Sequence, residues 1–453
     1  MTANTDTVDT MDEIEARPSL TTNATARFVA GGTMLVVTQV SGIIIARALG
    51  TTGKGLAGLL ALICLIAILI TDFGLTSAGV YFIGKRKYTA QAVVSTYLAF
   101  GLLNGVTTAA VIVLFRHRLA HLLFGGQYHG LILILALGIP ASLLYNWLSA
   151  VLRGQERIVP VSSVNIIGAL VGICVLVVAL YALDLGPASI VWEANSIAVL
   201  GFLGTAFLVW RQRIHFGLKL NLRLIRDSVG YGLRGQIGQM LQFINYRFDL
   251  FVVNYFLGIA SVGIYGVGAG VSQIIWQIPN ALSYALYSRI SSVGISEGNA
   301  ITRKIACQSM LLSLLVALIM APLGCFAIPF LFGEAFRPAI MAMWLLLPGV
   351  VALSYYKTLG VHFAGQGHPE YYSYGAAISA VVTLALDFLL IPRLGINGAS
   401  IASSVAYTLS AGICIYWFKR TTGMSDIAHL FVPKREDLQV YRRFVGQLVR
   451  RRV

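Results

Sequence analysis

The chain has 453 residues, of which 57% are hydrophobic and only 11% are charged, and its mean hydropathy is +0.79. Soluble domains carry about 25% charged residues, so this sequence has too few polar groups to cover a surface exposed to water. Its apolar runs are about 20 residues long or longer, the length of a transmembrane helix and not of a barrel strand. Composition therefore predicts an all-α, polytopic membrane protein.

The net charge of +15 does not indicate a nucleic-acid partner, because the basic residues cluster in short segments between apolar runs. The cysteines lie inside apolar runs and lack the spacing of a metal site or a disulfide framework. We therefore expect no metal and no cofactor. The five cysteines are Cys64, Cys174, Cys307, Cys325 and Cys414.

The apolar runs predict about twelve transmembrane helices, arranged as two six-helix lobes around a central cavity. We place the spans at 27–48, 56–82, 89–115, 130–152, 160–183, 187–210, 228–257, 260–288, 304–331, 338–363, 370–391 and 395–418.

This division predicts five regions. Residues 1–26 form a disordered cytoplasmic tail, 27–210 the N-terminal lobe, 211–227 a cytoplasmic linker, 228–418 the C-terminal lobe and 419–453 a basic cytoplasmic tail. The basic tail has the pattern of an amphipathic helix that lies on anionic membrane lipids, although a solvated tail fits the pattern nearly as well. Its apolar face would consist of Leu438, Tyr441, Val445 and Leu448.

The distribution of Lys and Arg predicts the orientation. The side that carries both termini has 24 basic residues and the opposite side has 6. Cytoplasmic loops carry the excess of basic residues, so we expect both termini in the cytoplasm and the protein in the inner (plasma) membrane. The three remaining cations, Arg234, Arg247 and Lys357, fall inside spans.

An internal repeat relates the two halves, since several landmarks recur 208 or 209 residues apart. Each half has six spans, so the halves keep the same orientation and are related by an axis along the membrane normal. Transporters of this kind bind their substrate near the midplane, between the halves. The landmarks are Leu49-Gly50 with Leu257-Gly258, Leu123-Phe124-Gly125 with Leu331-Phe332-Gly333, Pro140 with Pro348, and Gly186 with Gly395.

Two observations argue against an enzyme or a nucleotide-driven pump. No loop is long enough to hold a soluble catalytic domain. The segment TTGKG at 51–55 is not a phosphate-binding loop, because Ala48 stands where the first glycine is needed and Gly55 where Ser or Thr would hold magnesium. A secondary transporter or flippase remains as the leading class.

The seventh span is unusually polar, and charges at membrane depth rarely face lipid. Arg247, Arg234 and Lys357 are the candidates for binding an anionic headgroup, since a guanidinium can donate two hydrogen bonds to a phosphate. A buried hydrogen-bond network that ties helices together is the alternative interpretation. The predicted cavity lining adds Gln239, Gln242 and Tyr246, and the acids that couple an ion or pair with these cations are Asp249, Asp72 and Glu193.

Several segments resemble the polysaccharide-transport flippases (O-antigen and oligosaccharide flippases) of the MOP superfamily. The tyrosine-arginine-x-aspartate signature corresponds to Tyr246, Arg247 and Asp249 here. The segments are YRFDLFVVNYFLGIASVGIYGVGAG (246–270), ARALGTTGKG (46–55), LFGEAF (331–336), LLPG (346–349), AGQGHPE (364–370) and IPRLGINGASIASSVAY (391–407).

The resemblance implies a flippase that moves an oligosaccharide carried on a polyprenyl diphosphate from the cytoplasmic to the outer face, for polysaccharide export. It also implies a cationic cavity between the lobes, and polymerase and export machinery as further partners. The alternative is a multidrug/cation antiporter of the same superfamily, which would favour acidic and aromatic cavity residues. For Asp387, near one end of its span, we expect a structural role.

Overall fold

The computed structural model describes residues 20–214, 217–290, 293–368, 370–423 and 430, without the side chains of 20–29, 234, 284–285 and 287–289. Within these residues the regular structure is entirely helical. The helices are α1 (Leu20–Thr71), α2 (Leu75–Gly84), α3 (Ala90–Phe124), α4 (His129–Gly154), α5 (Ile158–Val177), α6 (Ala188–Arg211), α7 (Leu222–Arg247), α8 (Asp249–Leu257), α9 (Ile259–Ser272), α10 (Gln277–Ile290), α11 (Ile295–Phe332), α12 (Ala339–Gly365), α13 (Glu370–Leu394) and α14 (Ile396–Thr422).

These helices make twelve spans. Ten described segments are long and apolar enough to cross a membrane. The first of them, Ala30–Thr71, contains two spans, because the backbone leaves the helical conformation at Gly50 and Lys54 beyond the turn touches Gly42 before it. Together α7 and α8 form the remaining span, whose first half is too polar to be found by apolarity alone.

All six turns that join an odd-numbered span to the next span contain a glycine with positive φ. We call the side of the molecule that carries them the glycine face, and the opposite side the termini face. The repeat offset of 208 or 209 residues relates the glycines in pairs, which supports the repeat found in the sequence. The glycines are Gly50 (φ 67°), Gly125 (61°), Gly186 (53°), Gly258 (81°), Gly333 (107°) and Gly395 (62°).

The two lobes have matching architectures. In the N-terminal lobe α4 packs against α2, α3 and α6, and in the C-terminal lobe α12 packs against α9, α10, α11 and α14. These central helices carry the matched prolines Pro140 and Pro348. The lobes meet where the second half of α1 packs against α9, and where α2 packs against α7. The predicted fold class is therefore confirmed.

Several predicted boundaries need correction. Helix α1 begins at Leu20, so residues 20–26 are helical and do not belong to a disordered tail. The second span follows Gly50 directly and is interrupted between Thr71 and Leu75. The seventh span begins at Leu222, which shortens the expected linker, and it continues through Phe248, whose backbone angles are helical.

The predicted basic tail is described only in part. Helix α14 continues to Thr422, and the predicted amphipathic helix lies outside the described residues. Leu430 is described, and its carbonyl accepts a hydrogen bond from Tyr355 Oη at 2.8 Å. At this residue the chain therefore lies against α12 of the C-terminal lobe.

The turn at Gly258 generates a prediction about stability. Its backbone angles (φ 81°, ψ 174°) lie in a region that is essentially restricted to glycine. We expect Gly258→Ala to destabilise the protein by about 1–3 kcal/mol, measured as a lower melting temperature in detergent. Gly266→Ala is the matched control, because Gly266 is helical and an added Cβ would touch nothing within 4 Å. Equal melting temperatures for the two variants would contradict the role of the turn.

Candidate functional site

The seventh span carries Asp249 into the interior of the C-terminal lobe. Helix α7 ends at Arg247, and α8 begins at Asp249, with Phe248 between them in a helical conformation (φ −69°, ψ −27°). The Asp249 side chain is only 4% exposed. Its carboxylate accepts hydrogen bonds from the Leu250 amide (2.8 Å), from Ser403 Oγ (3.4 Å) and, at short range, from Tyr265 Oη. A buried charge is tolerated only when donors of this kind surround it.

A second buried carboxylate, Asp387, lies close enough to Asp249 to interact with it electrostatically. Asp387 is fully buried on α13, and neither of its oxygens has a hydrogen-bond partner among the described residues. Thr383, one turn before it, donates to Asn245 Oδ1 at 3.1 Å, while Asn245 Nδ2 is also unpaired in the described structure. Asp249, Asp387 and Asn245 thus belong to one buried polar cluster, and carboxylate and amide oxygens are ligands that could hold a small cation.

The predicted cation Lys357 lies on α12, half-buried, against aromatic rings. Its Nζ is 4.8 Å from the centre of the Trp276 ring, 5.7 Å from that of Tyr246, and 3.3 Å from Asn280 Oδ1. Among the described residues no carboxylate forms an ion pair with it. The rings and the amide stabilise an ammonium without neutralising it, so this charge remains available to an anion.

The polar residues predicted on the seventh span do not share one wet face. Gln239 is exposed, and Gln242 donates to Tyr372 Oη at 3.0 Å within the C-terminal lobe. Gln236 is 3% exposed and donates to the Leu69 carbonyl of the other lobe. The hydroxyl of Tyr246 is buried without a partner among the described atoms.

The cations predicted on the seventh span are Arg247 and Arg234. Arg247 is half-buried and interacts electrostatically with Asp249, with no hydrogen bond recorded among the described residues. The side chain of Arg234 lies outside the described residues, although its backbone belongs to α7.

The N-terminal lobe contains an embedded cation that the sequence reasoning missed. Lys54 was assigned to a loop, but it belongs to the helix after Gly50 and its Nζ occupies the notch left by Gly42. It interacts electrostatically with Glu193, which is 7% exposed and accepts a hydrogen bond from Ser41 Oγ. Glu193 therefore has a cationic neighbour within its own lobe. A turn of a single glycine at Gly50, with no loop after it, would have predicted that Lys54 lies inside the second span.

Asp72 lies at the interruption of the second span and is paired with neutral donors. Its Oδ1 accepts from Trp147 Nε1 at 2.8 Å and from Thr76 Oγ1. Asn104 Nδ2 donates to the carbonyl of Thr71 at 2.8 Å, which satisfies a backbone group that the interruption leaves free. The surroundings of Asp72 are those of a structural carboxylate that holds the broken helix.

The two-lobed fold of apolar helices and the charges embedded in it are typical of a membrane transporter. The sequence profile of the family described as "Polysaccharide biosynthesis protein" matches residues 44–341. The chain therefore belongs to that family. No curated protein sequence matches the chain significantly.

Solved structures agree on the fold. The lipid II flippase MurJ in an inward closed conformation has a TM-score of 0.75 at 12% identity, and the match covers 90% of this chain and 89% of MurJ. A multidrug resistance MATE family transporter in an inward-facing conformation has a TM-score of 0.71 at 17% identity, covering 86% and 94%. A MOP superfamily transporter from Pyrococcus furiosus has a TM-score of 0.61 at 15% identity, covering 88% and 94%.

The environment of Asp72 generates a prediction that separates structure from ion coupling. Asp72→Asn keeps an oxygen acceptor for Trp147 and Thr76, so we expect transport and melting temperature close to those of the original chain. Asp72→Ala leaves the buried Trp147 Nε1 unpaired, which costs about 1–3 kcal/mol and lowers the melting temperature. Loss of transport in Asp72→Asn at an unchanged melting temperature would instead make Asp72 an ion-coupling residue.

Proposed function

We propose that this transporter is a flippase that moves a polyprenyl-diphosphate-linked oligosaccharide from the cytoplasmic to the outer face of the inner membrane, with both termini in the cytoplasm. Membership of the polysaccharide biosynthesis family supports the class of cargo. The likeness to a lipid II flippase is compatible with a lipid-linked substrate, although at 12% identity it supports the fold alone. Polymerase and export proteins would then receive the cargo on the outer side, and membrane lipids would bind the basic tail.

One observation carries the proposal: Lys357 is an embedded cation without a carboxylate partner among the described residues. A diphosphate brings negative charge to the same depth, and a charge-assisted hydrogen bond to it would be stronger than a neutral one. Lys54 in the other lobe differs, because Glu193 lies close to it. The uncompensated positive charge therefore lies in the C-terminal lobe, beside the aromatic faces of Trp276 and Tyr246.

In the proposed cycle the diphosphate binds at Lys357, with Arg247 and Arg234 as further cations. Gln239, Gln242 and Tyr246 lie on the same span and would hydrogen-bond the sugar-phosphate head. The polyprenyl tail stays in the bilayer while the lobes rock to expose the head on the other side. The aromatic rings fix the ammonium in place, so little side-chain freedom is lost on binding.

The pair Asp249 and Asp387 is the proposed site of a coupling cation. Two carboxylates buried side by side repel each other, and a proton or sodium ion between them would relieve that repulsion. A bound cation would stabilise Asp387 most, because both of its oxygens are unpaired in the described structure. Because Asp249 lies two residues after Arg247 on the seventh span, a cation bound here would act on the span that carries most of the proposed substrate residues. Glu193 would serve as a charge partner for Lys54.

The role of Lys357 is tested by replacing its charge. In vesicles loaded with a fluorescent polyprenyl-diphosphate oligosaccharide, we expect Lys357→Gln to slow translocation about tenfold or more, and Lys357→Arg to retain part of the rate. Arg420→Gln is the matched control, since Arg420 also lies over an indole ring, that of Trp417, but at the exposed end of α14. A full rate in Lys357→Gln would exclude the residue. Efflux of a cationic dye without sugar-lipid translocation would favour the multidrug antiporter.

The proposed cation site is tested by thermal melting in sodium, potassium and choline chloride, and across a range of pH. A bound cation stabilises the folded protein by mass action, so we expect sodium or protons to raise the melting temperature. We expect Asp387→Asn to abolish that rise, whereas Asp184→Asn in an exposed turn of the glycine face keeps it. A rise that persists in Asp387→Asn would place the ion elsewhere.

A further inference from the structure

The contact between the lobes at the glycine face is built from backbone at its centre. Gly55, one turn past the Gly50 turn, faces Gly263, one turn past the Gly258 turn. A Cβ on Gly55 would lie 1.9 Å from the Ile259 carbonyl oxygen, and one on Gly263 would lie 2.1 Å from the Thr51 carbonyl oxygen. The offset of 208 residues makes the two glycines equivalent, so the axis that relates the lobes passes through this contact.

Three hydrogen bonds from two side chains flank the glycines, and the repeat relates two of their acceptors. Arg47 Nε of the N-terminal lobe donates to the Leu331 carbonyl at 2.9 Å, and its Nη2 donates to the Phe330 carbonyl. Asn254 Nδ2 of the C-terminal lobe donates to the Leu123 carbonyl at 2.8 Å. Leu123 and Leu331 are equivalent residues at the ends of α3 and α11.

These carbonyls belong to the last turn of a helix, where backbone oxygens have no partner within the helix. Each lobe therefore provides an unsatisfied helix end that the other lobe satisfies. The Arg47 guanidinium also meets the negative end of a helix dipole, a favourable position for a cation. When the lobes separate at this face, both helix ends lose their donors at once.

The lobes are also joined at the termini face, by a set of contacts that does not follow the repeat. We call this set the α7 clamp, because each contact joins α7 to the N-terminal lobe. Its centre is Gly74 against Gly232, where a Cβ on Gly232 would lie 2.2 Å from the Gly74 oxygen. Asp227 accepts from Lys87 Nζ at 2.9 Å and from Tyr88 Oη at 2.8 Å.

We propose that the hydrogen bonds of Arg47 and Asn254 keep a gate closed at the glycine face, and that the α7 clamp keeps a second gate closed at the termini face. Each transport cycle then breaks one of these two sets of contacts while the other set remains formed. Both sets are formed in this structure, which is therefore closed at both faces. Gly55 lies 19 residues before Gly74 in the sequence, a helical rise of about 28 Å, so the sets close opposite ends of the space between the lobes. The assignment concerns the movement of the lobes and does not depend on the cargo.

The proposal is tested by distances between spin labels in the full chain, after its native cysteines have been replaced. One pair, at Gln127 and Glu334, reports on the glycine face, and a second pair, at Arg86 and Leu222, reports on the termini face. All four positions are exposed and outside both sets of contacts. We expect Arg47→Met and Asn254→Leu each to lengthen the first distance without lengthening the second. Gly232→Ala should do the reverse, since its Cβ meets the Gly74 backbone.

Matched controls separate gating from loss of stability. Arg118→Met removes an exposed cation of α3 whose ring contact, with Phe115, lies within its own helix. Gly230→Ala adds a Cβ that touches nothing within 4 Å on the same helix as Gly232. If Gly232→Ala does not fold, Asp227→Asn provides a milder break of the α7 clamp. Unchanged distances in Arg47→Met and Asn254→Leu, or lengthening at both faces, would overturn the proposal.

Discussion

The architecture depends on a contact in which two helices meet backbone to backbone. Gly55 and Gly263 lie against the carbonyl groups of the opposite lobe, and no other residue type has room there. Because the glycines are equivalent in the internal repeat, one constraint fixes both lobes. The turns at Gly50 and Gly258, one helical turn away, direct the chain into this contact. The second half of α1 and its equivalent α9 therefore form the spine around which the two lobes are arranged.

The embedded charges obey a second constraint, the cost of removing a charge from water. The structure meets that cost in three ways. Asp72 is surrounded by neutral donors, Glu193 lies near Lys54, and Lys357 is stabilised by aromatic rings and an amide. Asp72 and Glu193 therefore need no ligand to compensate their charge. The surroundings of Lys357 stabilise its positive charge without neutralising it, and for this reason Lys357 is the central residue of the proposed substrate site.

The sequence predicted the features that depend on patterns over many residues, such as mean hydropathy and the internal repeat. Hydropathy located the spans, and the repeat located the turns, because a positive φ confines those turns to glycine in both halves. Local geometry was harder to predict. The polar residues 51–54 predict a loop after the first span, whereas in the structure the second span begins directly after Gly50 and includes Lys54. Which neighbour a buried carboxylate meets depends on the packing of distant helices, so Asp387 could not be placed beside Asp249 from the sequence.

The repeat also shows where the two lobes have diverged. The glycine face retains the symmetry of the repeat, with equivalent glycines and with the equivalent residues Leu123 and Leu331 accepting hydrogen bonds from the opposite lobe. The interior does not: Val262 stands at the position equivalent to Lys54, and no acidic residue of the N-terminal lobe is equivalent to Asp249. Symmetric contacts suit a gate, because both lobes must release it together. Asymmetric charges suit a transport site, because the ligand and the coupling ion need different chemistry. The C-terminal lobe holds both the ammonium of Lys357, which has no carboxylate partner among the described residues, and the carboxylate of Asp387, whose oxygens have no hydrogen-bond partner there. The proposed binding and coupling groups therefore lie in one half of the molecule, whereas the proposed gate uses both halves.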